Sequence, residues 1–391
     1  ALGVAIVVVA IGVGAGVAFS LQGSSSGPSR GAGPTGAAVH KSAGVSFAVQ
    51  PSDGATGVAP TTPVTVKMNS GQLVSVEVAT IDGRALAGLF DPASGTWQSN
   101  APLVPSTEYA VLIEAISPSG KPVQQLSHFV TMTPPATLGM TFLPNDGMTI
   151  GVGQPIVIRF DHAVTSKDAV LSHLHVTEST PVPGGWHWFS DRELHFRPQN
   201  YWPAGETVTV AANLTGVDAG GGVWGTKDHS VKFGIGDAHI TTANVDSEVL
   251  TVTNNGQVIA TFPLSAGRTK YPTMNGTHIV LYRQQDVLMD SQTVGIPRDS
   301  PDGYYEHVFS DVAITDGGEF VHAAPWSVGS QGRSNVSHGC INLSPVSAGT
   351  FFNFSRIGDV VQVVGSPRSP GLSDHGTMDW NLPWSEWIPA S

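Results

Sequence analysis

The chain has 391 residues, enough for two to four domains of ordinary size, and only 12% of them are charged. Gly (46) and Pro (28) are frequent, and with recurrent Val and Thr they point to a mainly β protein of short strands and many turns. Against 30 Asp and Glu stand 18 Lys and Arg, a formal net charge of −12 without any basic stripe, which argues against nucleic-acid binding because phosphate neutralisation needs concentrated positive charge.

Residues 1–21, ALGVAIVVVAIGVGAGVAFSL, carry no charged side chain. As a helix they would rise roughly 30 Å, about one hydrocarbon core. The run reads as a membrane anchor, with a cleaved signal peptide as the alternative, and either places the remainder outside the cytoplasm. Residues 22–42 are rich in Gly, Ser, Pro and Ala, a composition that reads as a flexible linker.

Two similar units follow, at 43–134 and 135–234. Each has a Pro-x-Asp-Gly turn, Pro51 to Gly54 and Pro144 to Gly147, followed by an apolar strand from Pro63 or Pro155. Each later has a Trp before a Pro-x-x-Glu turn: Trp97, Pro105 and Glu108 in the first, Trp202, Pro203 and Glu206 in the second. Short strands between frequent turns predict two β-sandwiches. Trp186 and Trp188 flank His187 and read as packing residues, with a sugar platform as the other possibility.

The third unit spans 235–365. Ser247–Thr253 and Gln257–Phe262 read as strands joined by the Asn255-Gly256 turn of a hairpin. Ile279–Tyr282 reads as another strand, Ser344-Pro345 as the cap and first turn of a helix through Phe354, and Asp359–Val364 as a closing strand. The tail, 366–391, holds Trp380, Trp384 and Trp387 and is expected to pack back on this third unit.

The chain's one cysteine excludes an internal disulfide. It sits in Ser337-His338-Gly339-Cys340, with His322 upstream in His322-Ala323-Ala324-Pro325-Trp326. A cysteine nucleophile needs a nearby base to raise its thiolate fraction, and a glycine beside it admits a substrate close to the backbone amides. A catalytic cysteine is the first reading. A zinc site built on His322, His338 and Cys340 and a buried inert cluster remain as alternatives.

The pattern of a His, a spacer, then Ser/Thr-His-Gly-Cys and an Asn or Arg two places on resembles the L,D-transpeptidase catalytic domain (YkuD type). Here the spacer runs from Ala323 to Val336, and Asn342 fills the last place. The order of anchor, immunoglobulin-like domains, catalytic domain and Trp-rich end is similar to the actinobacterial, especially mycobacterial, branch. The resemblance implies a mainly β fold with two immunoglobulin-like sandwiches before a β-rich catalytic domain, no cofactor and no metal. It implies that Cys340 attacks the third stem residue of a peptidoglycan tetrapeptide, releases D-Ala, and passes the acyl group to a second stem as a 3→3 crosslink. It implies carbapenems as covalent inhibitors and attachment to the membrane through the N-terminal segment.

Carried residue by residue, the resemblance makes Cys340 the nucleophile, His322 the base and the Ala323 carbonyl the group that fixes its tautomer. The Gly339 and Cys340 amides become oxyanion donors, and Tyr304 a lid residue. His338, Ser337 and Asn342 line the pocket, with Met289 and Trp326 as its walls. His307 and Asp311 match no place in the pattern and read as surface residues. An L,D-carboxypeptidase using water as acceptor, attachment of another amine to the wall, and a non-enzymatic wall-binding spacer stand as competing functions.

Overall fold

The computed structural model describes residues 38–42 and 44–388. The apolar run 1–21 and most of the linker stretch lie outside the described residues. Among the described residues no helix is long and apolar enough to cross a membrane. Within the stretch read as linker, Ala38–Ser42 is a strand, paired antiparallel with Val45–Gln50. The chain divides into two compact units, the first up to Pro135 and the second, apart from Thr215–Val217, from Ala136 onward.

The first unit is a sandwich of a five-stranded and a four-stranded sheet. In the five-stranded sheet Val45–Gln50 and Thr65–Ser70 lie beside Thr96–Ser99. In the other, Glu108–Ile116 pairs with Pro122–Thr131 along its whole length. Alternation sends Val45, Phe47 and Val49 inward with Val66, Trp97, Val111, Ile113 and Phe129. Tyr109 stacks on Phe129 and receives the Val104 amide on its hydroxyl.

The second sandwich opens the second unit. One sheet holds Met140–Leu143, Ile156–Phe160, Glu193–Pro198 and Gly184–Ser190; the other holds Thr149–Ile150, His229–Ile235, Thr207–Ala212 and Leu174–Glu178. The Pro-x-Asp-Gly repeat does the same work twice. Asp53 Oδ1 accepts the His128 amide at 2.9 Å while the Gly54 amide donates to the His128 carbonyl at 2.7 Å. Asp146 and Gly147 bind the Lys232 amide and carbonyl in the same way, both at 2.8 Å. The tryptophans do not repeat: Trp97 lies on a strand facing its core, whereas Trp202 lies after a strand, in the turn, and donates to the Gln154 carbonyl.

The catalytic-motif region has a five-stranded sheet, ordered Gln257–Pro263, Val249–Asn254, His239–Asn244, Val360–Val364 and Gly276–Ile279. The hairpin forms about Asn255 and Gly256, which hold φ of 48° and 80° as a two-residue turn demands. The strand read at Ile279–Tyr282 is instead a crossing between sheets. Gly276–Ile279 ends in the five-stranded sheet and Tyr282–Asp290 begins the other. That second sheet continues through Tyr305–Ala313 and Phe320–Ala323 to Ile341–Leu343. Val252, Val280, Val312, Val321, Ile341, Leu343, Phe351 and Val361 form the core between the sheets and the helix Pro345–Phe354. Ser344 caps this helix by accepting the Ser347 amide, with Pro345 at its first position.

The second sandwich and this region join backbone to backbone. The Gly151 and Gly153 amides donate to the Ile357 and Gly358 carbonyls at 2.7 and 2.8 Å. A Cβ on Gly151 would meet the Asp359 amide at 2.2 Å, so only glycine allows this approach.

The first part of the tail packs on the third region, Arg368 bonding Glu319 and Asp374 accepting the Asp316 and Gly317 amides, but the tryptophans go elsewhere. Its tryptophans are received mainly by the second sandwich: Trp387 is fully buried and donates to the Gly185 carbonyl, and Trp380 donates to that of Gly153. The Arg197 guanidinium lies 4.8, 5.0 and 4.6 Å from the rings of Trp380, Trp384 and Trp387. Each such cation–π contact contributes roughly 0.5–2 kcal/mol when desolvated. His187 stacks on Trp387, Trp186 meets Phe196 edge-on and Trp188 stacks on Phe160, which makes these aromatics packing residues. Asn381 reaches the other way, pairing with both backbone groups of Thr277. Beneath the tryptophans the buried His195 bonds Asp379 at 2.8 Å and Glu193 at 2.9 Å, Glu193 bonds His375, and His375 bonds Asp316. This relay ties the sandwich, the tail and the third region together.

Candidate active site

Eighteen positions separate His322 from Cys340 in sequence, and sheet pairing closes the gap. Phe320–Ala323 runs parallel to Ile341–Leu343 with His322 beside Asn342, so Cys340, two residues before Asn342, falls next to the histidine on the same face of the sheet. Both line one pocket of ≈ 230 Å³ with Met289, Tyr304, Glu306, Trp326, Val336, Ser337, His338 and Asn342.

His322 is buried, and its Nδ1 donates to the Ala323 carbonyl at 3.0 Å. That bond leaves the lone pair on Nε2. Burial, only partly offset by this bond, pushes the imidazole down to about 4. The half-buried Cys340 thiol lies 3.7 Å from the Gly318 carbonyl. Burial first, and then the charge of Glu319, push it up to about 12 against the opposing backbone of Phe320. The resting pair is therefore a neutral thiol and a neutral imidazole, and a proton must move to make the nucleophile.

The loop before the nucleophile is held from inside. Ser337 Oγ donates to the Cys340 carbonyl at 2.6 Å and accepts the Gly339 amide at 3.1 Å. Thr273 Oγ1 donates to the Gly339 carbonyl at 2.7 Å. Gly339 sits at φ +133°, and a Cβ there would come 3.3 Å from Glu319 Oε1. The Glu319 carboxylate accepts the Met274 amide and Arg368 Nη1, and burial outweighs Arg368 and raises it to about 7.

His338 faces the pocket from the other side. Arg268 Nη2 donates to its Nε2 at 2.7 Å, and burial, then this arginine, hold it below the ordinary imidazole range. The guanidinium opposes a metal cation at that nitrogen, which counts against the zinc reading. Arg268 also bonds Asp302, as do Lys270 and Tyr271, and so pins the loop that ends at Tyr304. The Tyr304 ring lies 5.0 Å from His338, and burial pushes its hydroxyl up to about 12, so it stays a donor. Asn342 donates to Ser327 Oγ and exchanges backbone bonds with Ser265, a largely structural position at the pocket floor. Trp326 is exposed beside His322, with ring centroids 6.1 Å apart.

Every expected side chain is thus gathered at one place, with Gly339 and the Ala323 carbonyl just behind it. Two readings change. The Gly339 amide already donates to Ser337. Asp311, read as a surface residue, is fully buried, and neither of its carboxyl oxygens has a partner among the described residues. It occupies a bulge: Phe309 pairs with Ala323 and Val312 with Val321, so Ser310, at φ 57°, and Asp311 together oppose His322. Burial, then Asp286, raise it to about 7. His307 is exposed and bonds Asp286, as a surface residue would. Glu306 was missed. It reaches the pocket because it pairs with Met289 across the sheet, a register no local pattern announces.

A family model for a bacterial Ig domain matches residues 55–218, and one for the L,D-transpeptidase catalytic domain matches residues 238–363. L,D-transpeptidase 2 of Mycobacterium tuberculosis is 39% identical over 338 residues, 86% of this chain and 82% of that protein. L,D-transpeptidase 5 of the same species is 34% identical over 351 residues, 88% of this chain and 76% of that protein. A solved L,D-transpeptidase in complex with imipenem aligns with a TM-score of 0.52 at 35% identity, covering 59% of this chain and all of that one. With its immunoglobulin-like region, its catalytic domain and this gathered His–Cys pocket, the chain belongs to the L,D-transpeptidase family.

Proposed function

We propose that the protein crosslinks peptidoglycan stems through a Cys340 thioester, releasing D-Ala from a tetrapeptide donor and forming a 3→3 bond. The observation that carries this is the tautomer lock: Ala323 holds Nδ1–H, and His322 shares one pocket with the chain's only cysteine. Nε2 takes the thiol proton as sulfur attacks the carbonyl of the third stem residue, and returns it to the departing D-Ala amine. The Cys340 amide and the Tyr304 hydroxyl receive the oxyanion, since the Gly339 amide is engaged by Ser337. Ser337 and Asn342 hold the loop and floor, Arg268 orients His338, and Met289 and Trp326 wall the stem. The acceptor amine then displaces sulfur.

A carbapenem would acylate the same sulfur, a reading supported by the relative solved with imipenem. The apolar run 1–21 supports a membrane anchor that leaves the enzyme facing the cell wall.

The test uses a fragment starting at Ala38, which keeps the edge strand, beside its Cys340→Ala variant. Each is incubated with a disaccharide-tetrapeptide containing diaminopimelate, and products are read by mass spectrometry. A crosslinked dimer lacking one D-Ala, absent with the variant, is the expected result. Tripeptide alone would establish a carboxypeptidase instead.

A further inference from the structure

We infer that Glu306 is the acceptor-recognition residue, binding the side-chain ammonium of the incoming stem and so steering the acyl-enzyme toward crosslinking rather than hydrolysis. This rests on the transpeptidase reading and adds the half-reaction for which no sequence motif exists.

Glu306 lines the pocket beside Tyr304 and across from Met289. Asp311, also unpartnered among the described residues, is buried and does not line the pocket, and three further carboxylates nearby have cationic partners. Asp302 is bound by Arg268 and Lys270, Asp290 by Nε and Nη2 of Arg298, and Glu319 by Arg368. Glu306 has no hydrogen bond or ion pair among the described residues, and partial burial alone raises its pKa. The remaining titratable groups of the pocket are held neutral, the two imidazoles by their lowered pKa values and the thiol and phenol by their raised ones. Glu306 is therefore the one carboxylate among the described residues that line the pocket.

The chemistry of the second half-reaction supplies what this carboxylate lacks. Water is neutral, whereas an aliphatic amine arrives protonated at neutral pH. A partly desolvated carboxylate attracts the ammonium far more than it attracts water. The bound ammonium loses one proton to solvent, and the free amine attacks the thioester carbonyl. His322 takes a second proton from nitrogen and delivers it to sulfur as the C–S bond breaks and the C–N bond remains. The acceptor is thus concentrated where its neutral form is needed.

The experiment compares the whole protein with Glu306→Gln and Glu306→Asp. Acyl-enzyme formation from the tetrapeptide donor is followed without acceptor. Partition between crosslink and tripeptide is then measured against two nucleophiles: a diaminopimelate-containing stem, and hydroxylamine, which is uncharged at neutral pH. In Glu306→Gln the stem concentration for half-maximal crosslinking is expected to rise about tenfold, the worth of one charge-assisted bond. Tripeptide should rise in step, the hydroxylamine partition should stay as in wild type, and Glu306→Asp should recover part of the loss. Equal losses with both nucleophiles, an unchanged stem dependence, or a defect confined to acylation would each overturn the assignment. If the wild type itself gives only tripeptide, the transpeptidase reading fails first and the inference falls with it.

Discussion

Two buried histidines set the active site against the tail clasp. His322 and His195 are each only a few per cent exposed, at 3% and 1%. His322 has a backbone carbonyl for company, so burial prevails and the ring stays neutral with its lone pair available. His195 has Asp379 on one nitrogen and Glu193 on the other. There burial, the largest single influence, would drive the proton off, but the two carboxylates together outweigh it and raise the ring above its ordinary range. Burial therefore does not decide what a histidine does; its immediate partners do. One ring is kept as a base, and the other is drawn toward its protonated form as a structural tie.

The largest effect expected from breaking this contrast is at the base. His322→Ala should slow acylation by about 10²–10⁴-fold, the usual worth of general acid–base catalysis, in a stopped-flow assay with a carbapenem. At the clasp the expected loss is of stability. Asp379→Asn leaves His195 and Arg197 without the charge that offsets their burial, and should cost about 3–5 kcal/mol in denaturant unfolding. Trp387→Ala, which opens a void beside Arg197, should cost a similar amount. Acylation by the fraction still folded should stay near wild type, since neither residue touches the pocket.

The two rings should also respond to pH with opposite sign. Lowered in the fold, His322 contributes stability that is present above the unfolded value near 6.5 and lost as pH falls toward about 4. Acylation should fail over the approach to that lower limit. Raised in the fold, His195 contributes stability that is present below the unfolded value and lost as pH rises through its raised one. The penalty of Asp379→Asn should accordingly shrink at high pH, read as converging melting curves. Glu193, drawn down to about 2 chiefly by its bond to His195, loses its contribution as pH falls from about 4.5 toward that limit. The smallest effect concerns the first sandwich, a separate compact unit. A protein beginning at Ala136 should keep its acylation rate within about twofold, because no residue of the pocket lies before Met289.

Much of the pocket was legible because its chemistry is local in sequence. Ser337 to Asn342 is one continuous run, and Ala323 follows His322 directly. The Asn255-Gly256 hairpin and the Ser344-Pro345 helix start were legible for the same reason. The clasp was not. Arg197 alternates along an ordinary strand, and its three aromatic partners lie more than 180 residues away, so nothing near it in sequence names them. The crossing at Val280 and Leu281 was hidden because an apolar pair reads the same inside one strand as between two. Glu306 depended on cross-strand register, and Asp311 on a bulge that turns a carboxyl inward against its composition.

Gly339 has a consequence for how this protein can drift under selection. The position combines a backbone angle that disfavours side chains with a carboxylate pressed against its one open direction, and its amide and carbonyl are both already engaged. A variant that escapes a thiol-directed inhibitor cannot easily do so by reshaping this floor without also disordering the loop that carries the nucleophile. Escape must instead come from the walls, at Met289 or Trp326, where a changed side chain alters what enters while leaving the sulfur in place. Inhibitors that hold to the floor and lean little on those walls should meet resistance last.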